Sequence, residues 1–207
     1  DEVERKMFIT IEGIDGCGKT TQAAFLSQLL RAQGREVLWT REPGCWSDGA
    51  ALRSILLNGR LQNPMTEILL FLADRCEHAA QVIEPALSGG TWVVCERYSD
   101  STRAYQCWGR GLSRSRLEDL LSWCGFPEPD LTLWLDLSSE EALRRRAERG
   151  GGDRIESEQR DFHRRVACGF GELASQFSHR FVRIDAGGEK ARTQREIRKA
   201  LKERGIL

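Results

Sequence analysis

The sequence predicts an α/β fold in which five parallel strands carry helices on both faces. Two observations carry this. Five short runs of apolar and β-branched residues alternate with stretches of helical periodicity, the pattern of strands joined by helical crossovers. The first run, Met7-Phe8-Ile9-Thr10-Ile11, leads into Gly13-Ile14-Asp15-Gly16-Cys17-Gly18-Lys19-Thr20, which matches G-x-x-x-x-G-K-[ST] without a gap. A strand before and a helix after, from Thr21 to Leu30, supply the context in which that motif binds a nucleoside triphosphate.

The chemistry of the motif follows from its residue types. Glycines at 13, 16 and 18 let backbone N–H groups curl around phosphate oxygens at the positive end of a helix dipole. Lys19 is placed to neutralise the β- and γ-phosphates, and the Thr20 hydroxyl to ligate Mg²⁺. Residues 13–21, from Gly13 through Ile14, Asp15, Gly16, Cys17, Gly18, Lys19 and Thr20 to Thr21, are therefore the expected ATP-binding set.

The remaining elements follow in order. Residues 36–40 read as a second strand, ended by Arg41-Glu42-Pro43-Gly44, and residues 49–58 as a helix. Asn63-Pro64 opens a long helix over about 66–87, apolar almost all round at residues 68–73, which predicts a deep core helix or a subunit interface. Thr91-Trp92-Val93-Val94-Cys95 is the third strand, followed by short helices over 101–106 and 113–123. Residues 131–136 form the fourth strand, and Ser138-Ser139-Glu140-Glu141 caps a helix running through Arg144-Arg145-Arg146 to Gly150-Gly151-Gly152. A helix over 157–175, a strand over 181–184 and a helix over 192–203 complete the chain.

Composition narrows the possibilities. The 207 residues suffice for one sizeable core, so one domain is expected. Thirty-one basic residues balance thirty-one acidic ones, which gives no global field for nucleic acid or an anionic membrane. Seven scattered cysteines without metal-ligand spacing read as reduced cytoplasmic thiols. No apolar run is long enough to span a membrane. Residues 1–6 are charged, lie ahead of the first strand, and read as a leader or an expression remnant.

Ligands of such sheets collect beyond the carboxyl ends of the strands. The polar residues there are Asp15, Arg41-Glu42, Glu96-Arg97-Tyr98, Asp136 and Asp185. Asp136 and Asp185 precede turn and cap chemistry and read as solvated loop starts. Arg41 and Arg97 present planar forks suited to a second phosphate, and a second phosphate means an acceptor.

These residues resemble bacterial thymidylate kinases. The resemblance covers nearly the whole chain, through Phe8-Ile9-Thr10-Ile11-Glu12-Gly13, Thr40-Arg41-Glu42-Pro43-Gly44, Phe71-Leu72-Ala73-Asp74-Arg75, Glu96-Arg97-Tyr98-Ser99-Asp100-Ser101-Thr102, Gly109-Arg110-Gly111-Leu112 and Asp153-Arg154-Ile155-Glu156. It implies a P-loop nucleoside monophosphate kinase fold with a lid over about 144–156. It also implies ATP-dependent, Mg²⁺-assisted phosphorylation of dTMP, and a homodimer through the helix around residues 68–73. By the same resemblance Phe71 stacks on thymine and Arg75 bonds a base carbonyl. Ser101, Thr102 and Gln106 read the remaining base edge, Tyr105 crowds the sugar 2′ position, Arg53 lies near the base, and Arg41 and Arg97 hold the dTMP phosphate. Asp15 helps to place the acceptor sugar and the catalytic arginine, and Lys19 and Arg97 are counted with it among the catalytic residues.

Relatives carry a basic residue either in the P-loop or in the lid. With Gly16 in the P-loop, this chain resembles the second type, which makes Arg149 and Arg154 the expected catalytic lid residues, Arg154 ahead of Arg149, with Arg145 and Arg146 behind them. For Arg144-Arg145-Arg146 a solvated helix face balanced by Glu140 and Glu141 is an equal reading. Glu96 stands where the family has aspartate and joins Thr20 as an expected metal residue, directly or through water. Cys45 and Cys107 stand where glycine is common, which predicts local strain if either position needs positive φ. The competing readings are a kinase for another monophosphate and a P-loop switch, against which the chain has no Asn-Lys-x-Asp sequence.

Overall fold

The computed structural model describes residues 6–150 and 152–207. Residues 1–5 of the expected leader, and Gly151 of the triple glycine, lie outside the described residues. Five parallel strands form one sheet in the order β2-β3-β1-β4-β5, with β1 Phe8–Glu12, β2 Val37–Arg41, β3 Trp92–Glu96, β4 Leu131–Asp136 and β5 Phe181–Asp185. The three central strands are buried almost throughout, as their near-continuous apolar runs require, whereas β2 and β5 at the edges are partly exposed. Their few interior polar groups are paired: Thr10 Oγ1 meets Thr132 Oγ1 at 2.9 Å, and Arg180 Nη1 donates to Thr132 Oγ1 at 2.7 Å.

The helices are α1 Lys19–Ala32, α2 Gly49–Asn58, α3 Pro64–His78, α4 Glu84–Ser88, α5 Ser99–Thr102, α6 Arg114–Cys124, α7 Ser139–Arg149, α8 Arg160–Gln176 and α9 Lys190–Glu203. The main core joins the sheet to α1, α8 and α9 through Ile11, Leu26, Leu133, Phe170 and Ile197. On the other face Phe8, Val93, Ile83 and Tyr98 form a second cluster. Ile68 and Leu72 of α3 pack against Leu117 and Leu121 of α6, while Leu69 is 51% exposed. The apolar stretch at 68–73 is thus half core helix and half uncovered surface.

The structure departs from the expected elements in three places. The long helix runs on to Ser88, but its turns at Ala79–Ile83 are π-helical. The wider winding accommodates Pro85, which has no N–H to donate and whose ring would strike the carbonyl four residues earlier in a regular helix. The helix expected over 101–106 spans α5 and a second π-helical segment, Arg103–Gly109. The helix expected from 157 starts at Arg160, because Asp153 Oδ1 accepts from the backbone N–H groups of Ile155 and Glu156 at 2.9 and 2.8 Å and folds them into a turn. Neither Cys45 nor Cys107 has positive φ, so the strain expected there does not arise.

Helix α8 lies on the π-helical segment that carries Tyr105 and Gln106, and the close approach depends on two glycines. A Cβ on Gly109 would sit 2.7 Å from the Phe162 ring, and one on Gly169 would sit 2.8 Å from the Trp108 ring. Gly109→Ala and Gly169→Ala are each expected to lower stability by about 1–3 kcal/mol in urea titrations, although alanine is the better helix former by about 1 kcal/mol. Unchanged or raised stability would show that the two elements can separate at no cost.

Candidate active site

The glycine-rich turn closes β1 onto α1. Gly13, Gly16 and Gly18 have φ of 142°, 92° and 91°, so the backbone curls as phosphate binding requires. Lys19 Nζ donates to the carbonyls of Gly13 at 3.0 Å and Ile14 at 2.9 Å. Ile14 and Cys17 are buried in the core, and Cys17 Sγ also accepts from Lys19 Nζ at 3.7 Å. Thr20 Oγ1 donates to Glu96 Oε2 at 2.7 Å, and Trp39 Nε1 donates to Glu96 Oε1 at 2.9 Å. A hydroxyl and a carboxylate held this way are the hard oxygen donors that Mg²⁺ accepts, one or two from protein and the rest from water and phosphate.

Asp15, Gly16, Gly18, Lys19, Thr20 and Thr21 line one wall of an open cleft of about 1070 Å³. Arg41, Arg53 and Arg97 line it from the β2–β3 side, and Arg145, Arg146 and Arg149 from α7. Burial and the neighbouring Arg41 pull the Arg53 pKa below its usual value, the signature of cations gathered for an anion. Arg53, expected near the base, donates to the Pro43 carbonyl at 2.7 Å and lines this polar cleft.

Arg97 joins this cleft to a second cavity. It is the single non-glycine residue with positive φ (64°) among the described residues, a backbone state that persists where surrounding contacts enforce it. Its guanidinium is ion-paired with Asp15 and donates to Ser101 Oγ at 3.1 Å. Tyr105 completes the unit by donating from its hydroxyl to Asp15 Oδ2 at 2.8 Å, its ring 5.1 Å from the Arg97 guanidinium carbon. Burial pushes the Asp15 pKa up, but Arg97 and Lys19 outweigh it and hold the carboxyl well below the usual range.

The second cavity, about 480 Å³, is lined by Phe71, Arg75, Arg97, Ser101, Thr102, Tyr105 and Gln106 with Leu57, Pro43 and Ile155. Arg75 is buried, with Nε donating to Glu42 Oε2 at 2.8 Å and Nη2 to Thr102 Oγ1 at 2.9 Å, while Nη1 has no partner among the described residues. Gln106 Nε2 donates to Glu67 Oε1 at 2.8 Å, and Gln106 Oε1 has no partner either. One unpaired donor and one unpaired acceptor, both buried, thus belong to residues that line a cavity beside an aromatic ring.

The lid helix resolves the arginine triplet. Arg144 is exposed and pairs with Glu141 and Glu148, as a solvated face would. Arg145 turns inward and donates to the Ala186 carbonyl at 3.0 Å, and buried Arg146 donates to the Glu156 carbonyl at 3.1 Å. The reason α7 comes so close is Gly16, where a Cβ would sit 2.8 Å from the Ala142 carbonyl. Arg149 reaches the cleft and pairs with Glu156 at 2.5 Å. Arg154 does not reach it: its side chain pairs with Glu67 at 2.6 Å and donates to the Leu56 carbonyl at 2.9 Å. Of the two expected catalytic arginines, Arg149 thus lines the cleft and Arg154 does not.

Sequence reasoning assigned no role to the carboxylates behind the site, although it named Glu42 as a strand-end residue. Glu12 is fully buried and accepts from the N–H groups of Tyr98 at 2.7 Å and Ser101 at 3.2 Å. Glu42 braces Arg75 and bonds His78 Nδ1 at 3.0 Å, and Asp74 accepts from Gly44 N and Trp46 Nε1 at 2.9 and 2.8 Å. Their one signal was a charged residue inside or at the end of a buried run.

A five-stranded parallel sheet with a P-loop, a neighbouring acceptor cavity and an arginine-bearing lid helix defines a nucleoside monophosphate kinase. The thymidylate kinase family model matches residues 11–197. A thymidylate kinase of Synechococcus sp. (strain JA-3-3Ab) is 47% identical over 96% of both chains, and one of Gloeobacter violaceus is 45% identical over 94% of both. The crystal structure of thymidylate kinase from Ehrlichia chaffeensis superposes with a TM-score of 0.76 at 32% identity, covering 95% of this chain and 98% of that one. The chain belongs to the thymidylate kinase family.

Burial and the neighbouring Asp100 push the Glu12 carboxyl from 4.5 up to about 7. The folded protein therefore holds a proton that the unfolded chain has released between those values, and stability falls as pH rises through that window. Glu12→Gln is expected to remove this slope, so that between about pH 5 and pH 8 wild type loses about 2 kcal/mol more than the variant in urea titrations. Parallel pH profiles would show that Glu12 stays ionised in the fold.

Proposed function

We propose that this chain is an enzyme that transfers the γ-phosphate of ATP to dTMP, giving dTDP and ADP. The observation that supports the acceptor is a pair of buried, unpartnered atoms, Arg75 Nη1 and Gln106 Oε1, on two residues that line the cavity. Thymine offers a carbonyl oxygen at position 4 and an N–H at position 3, the complement of one donor and one acceptor. Cytosine offers the reverse at both positions. Phe71 supplies the stacking face, Ser101 and Thr102 the neighbouring wall, and Tyr105 the side against the sugar.

In this reading Arg41, Arg53 and Arg97 hold the acceptor phosphate across the cleft from the P-loop, and Asp15 orients Arg97. An acceptor phosphate oxygen attacks the γ-phosphorus as the bond to the β-phosphate bridging oxygen breaks. Lys19, Arg97 and Arg149 stabilise the charge that spreads over the transferred group. Thr20 and Glu96 would hold Mg²⁺, directly or through water, and the ion would supply neutralisation of phosphate charge. Arg154 anchors the lid to α3 and to the end of α2, and residues 144–156 close over ATP and exclude water. The chain acts as one P-loop kinase domain, in the cytoplasm, where its scattered thiols stay reduced. It pairs as a homodimer through α3, whose Leu69 and Met65 are 51% and 39% exposed.

The test is ADP formation from ATP and Mg²⁺ with dTMP, dUMP, dCMP, dGMP and dAMP, beside a control without acceptor. Turnover confined mainly to dTMP is expected. Comparable turnover with another base, or hydrolysis regardless of acceptor, would remove the thymine assignment.

Arg97→Ala is expected to lower kcat/KM for dTMP by about 10²–10³-fold, as for loss of a charge-stabilising donor. Phe71→Ala should raise the dTMP KM about tenfold through loss of ring contact. ATP affinity, read by titration with a fluorescent ATP analogue, should stay largely intact in both, and its loss in a folded variant would overturn this division of the site.

A further inference from the structure

Gln106 can read the base in either of two ways, because its amide is a donor at one end and an acceptor at the other. What fixes the choice is Glu67, which is 3% exposed and has no contact with the cavity. A carboxylate can only accept, so the amide must turn its NH₂ to Glu67, and the observed 2.8 Å bond from Gln106 Nε2 to Glu67 Oε1 does so. Glu67 itself is held as a carboxylate from both sides. Arg110 donates from Nε to Oε1 at 3.1 Å and from Nη2 to Oε2 at 3.2 Å, and Arg154 Nη2 lies 2.6 Å from Oε2. Arg110 is in turn paired with Glu158. Burial alone would raise the Glu67 pKa, but the bonds from Gln106, Arg110 and Arg154 bring it below its usual value.

We infer that Glu67 is a specificity-determining positioning residue: it fixes the Gln106 amide with its oxygen toward the acceptor base, and so selects a pyrimidine with an N–H at position 3 over one with a bare nitrogen there. The inference rests on the proposed use of dTMP. Removing the constraint should let the amide turn. In Glu67→Gln the remaining oxygen is held by Arg154 and Arg110, so the new NH₂ faces Gln106, whose own oxygen can then turn to meet it. The Gln106 NH₂ would point at the base and suit the bare N3 of cytosine.

The experiment measures kcat and KM for dTMP and dCMP with wild type, E67Q, E67D, Q106M and the E67Q/Q106M double variant. The quantity read is the dTMP-to-dCMP ratio of kcat/KM, which does not depend on how much of a sample is folded. E67Q should lower that ratio about tenfold or more, mainly through KM of the acceptor, with KM of ATP unchanged. E67D, which keeps an acceptor-only group, should retain the ratio within about twofold, and E67Q should have no further effect in the Q106M background. A ratio preserved in E67Q, a ratio lost in E67D, or effects of E67Q and Q106M that simply multiply would overturn the inference. If E67Q yields no active protein, the E67D ratio decides alone. Wild type that fails to use dTMP would instead overturn the acceptor assignment, so the two failures are distinguishable.

Discussion

The ion pair between Asp15 and Arg97 is the contact on which the two halves of the site depend. Both residues line the arginine-rich cleft and the aromatic cavity, so the pair forms the wall between them and is in reach of both. A carboxylate inside a phosphate cradle would repel its ligand if it stood alone. Ion-paired with Arg97 and capped by the Tyr105 hydroxyl, it becomes an orienting group instead. The left-handed backbone at Arg97 belongs to the same arrangement. That conformation costs of order 1–2 kcal/mol for a residue with a Cβ, and the N–H bond from Arg97 to Ile11 at 3.0 Å and the guanidinium contacts hold it in place.

The lid depends on a second close contact, between the P-loop and α7. Because a side chain on Gly16 would collide with the Ala142 carbonyl, the P-loop cannot carry an inward basic residue there while α7 stays where it is. The same proximity brings Arg145, Arg146 and Arg149 over the cleft. Glycine in the loop and arginine on the helix are therefore one steric solution. Amphipathicity sorts the triplet: successive residues on a helix point about 100° apart, so three consecutive arginines cannot all face one way. Arg144 points to solvent with its acidic neighbours, and the other two point inward.

The fold was legible in the sequence because its signals are local. Strand runs, the glycine motif and helix periodicity placed every strand to within a residue or two, and Gly49–Asn58 at its full length. The π-helical segments were not legible, since they arise from Pro85 and from packing against α8. At the site, residues on strand ends were readable: Asp15, Arg41, Glu96 and Arg97 do meet at one rim, and Asp136 and Asp185 are occupied by Arg183 and by turn bonds. The directions of Arg53 and Arg154 were not legible because they are set by partners away along the chain, the Pro43 carbonyl and Glu67. Glu12, Glu42, Glu67 and Asp74 were assigned no role for the converse reason. Each acts by holding another side chain or a loop, and no spacing rule reports that.

Those carboxylates share a physical logic. Burying an arginine or a glutamine amide beside an apolar ring is costly unless most of its polar atoms are bonded, yet a group bonded at every atom can recognise nothing. The cavity meets both demands. Glu42 and Thr102 occupy two nitrogens of Arg75 and leave the third; Glu67 occupies the amide nitrogen of Gln106 and leaves the oxygen. Each reader is satisfied up to one atom, and that atom's polarity is dictated by what satisfies the rest. The polarity of what is left unpaired around this cavity is therefore set one layer behind its lining, by acidic residues that decide which end of a neighbour stays free.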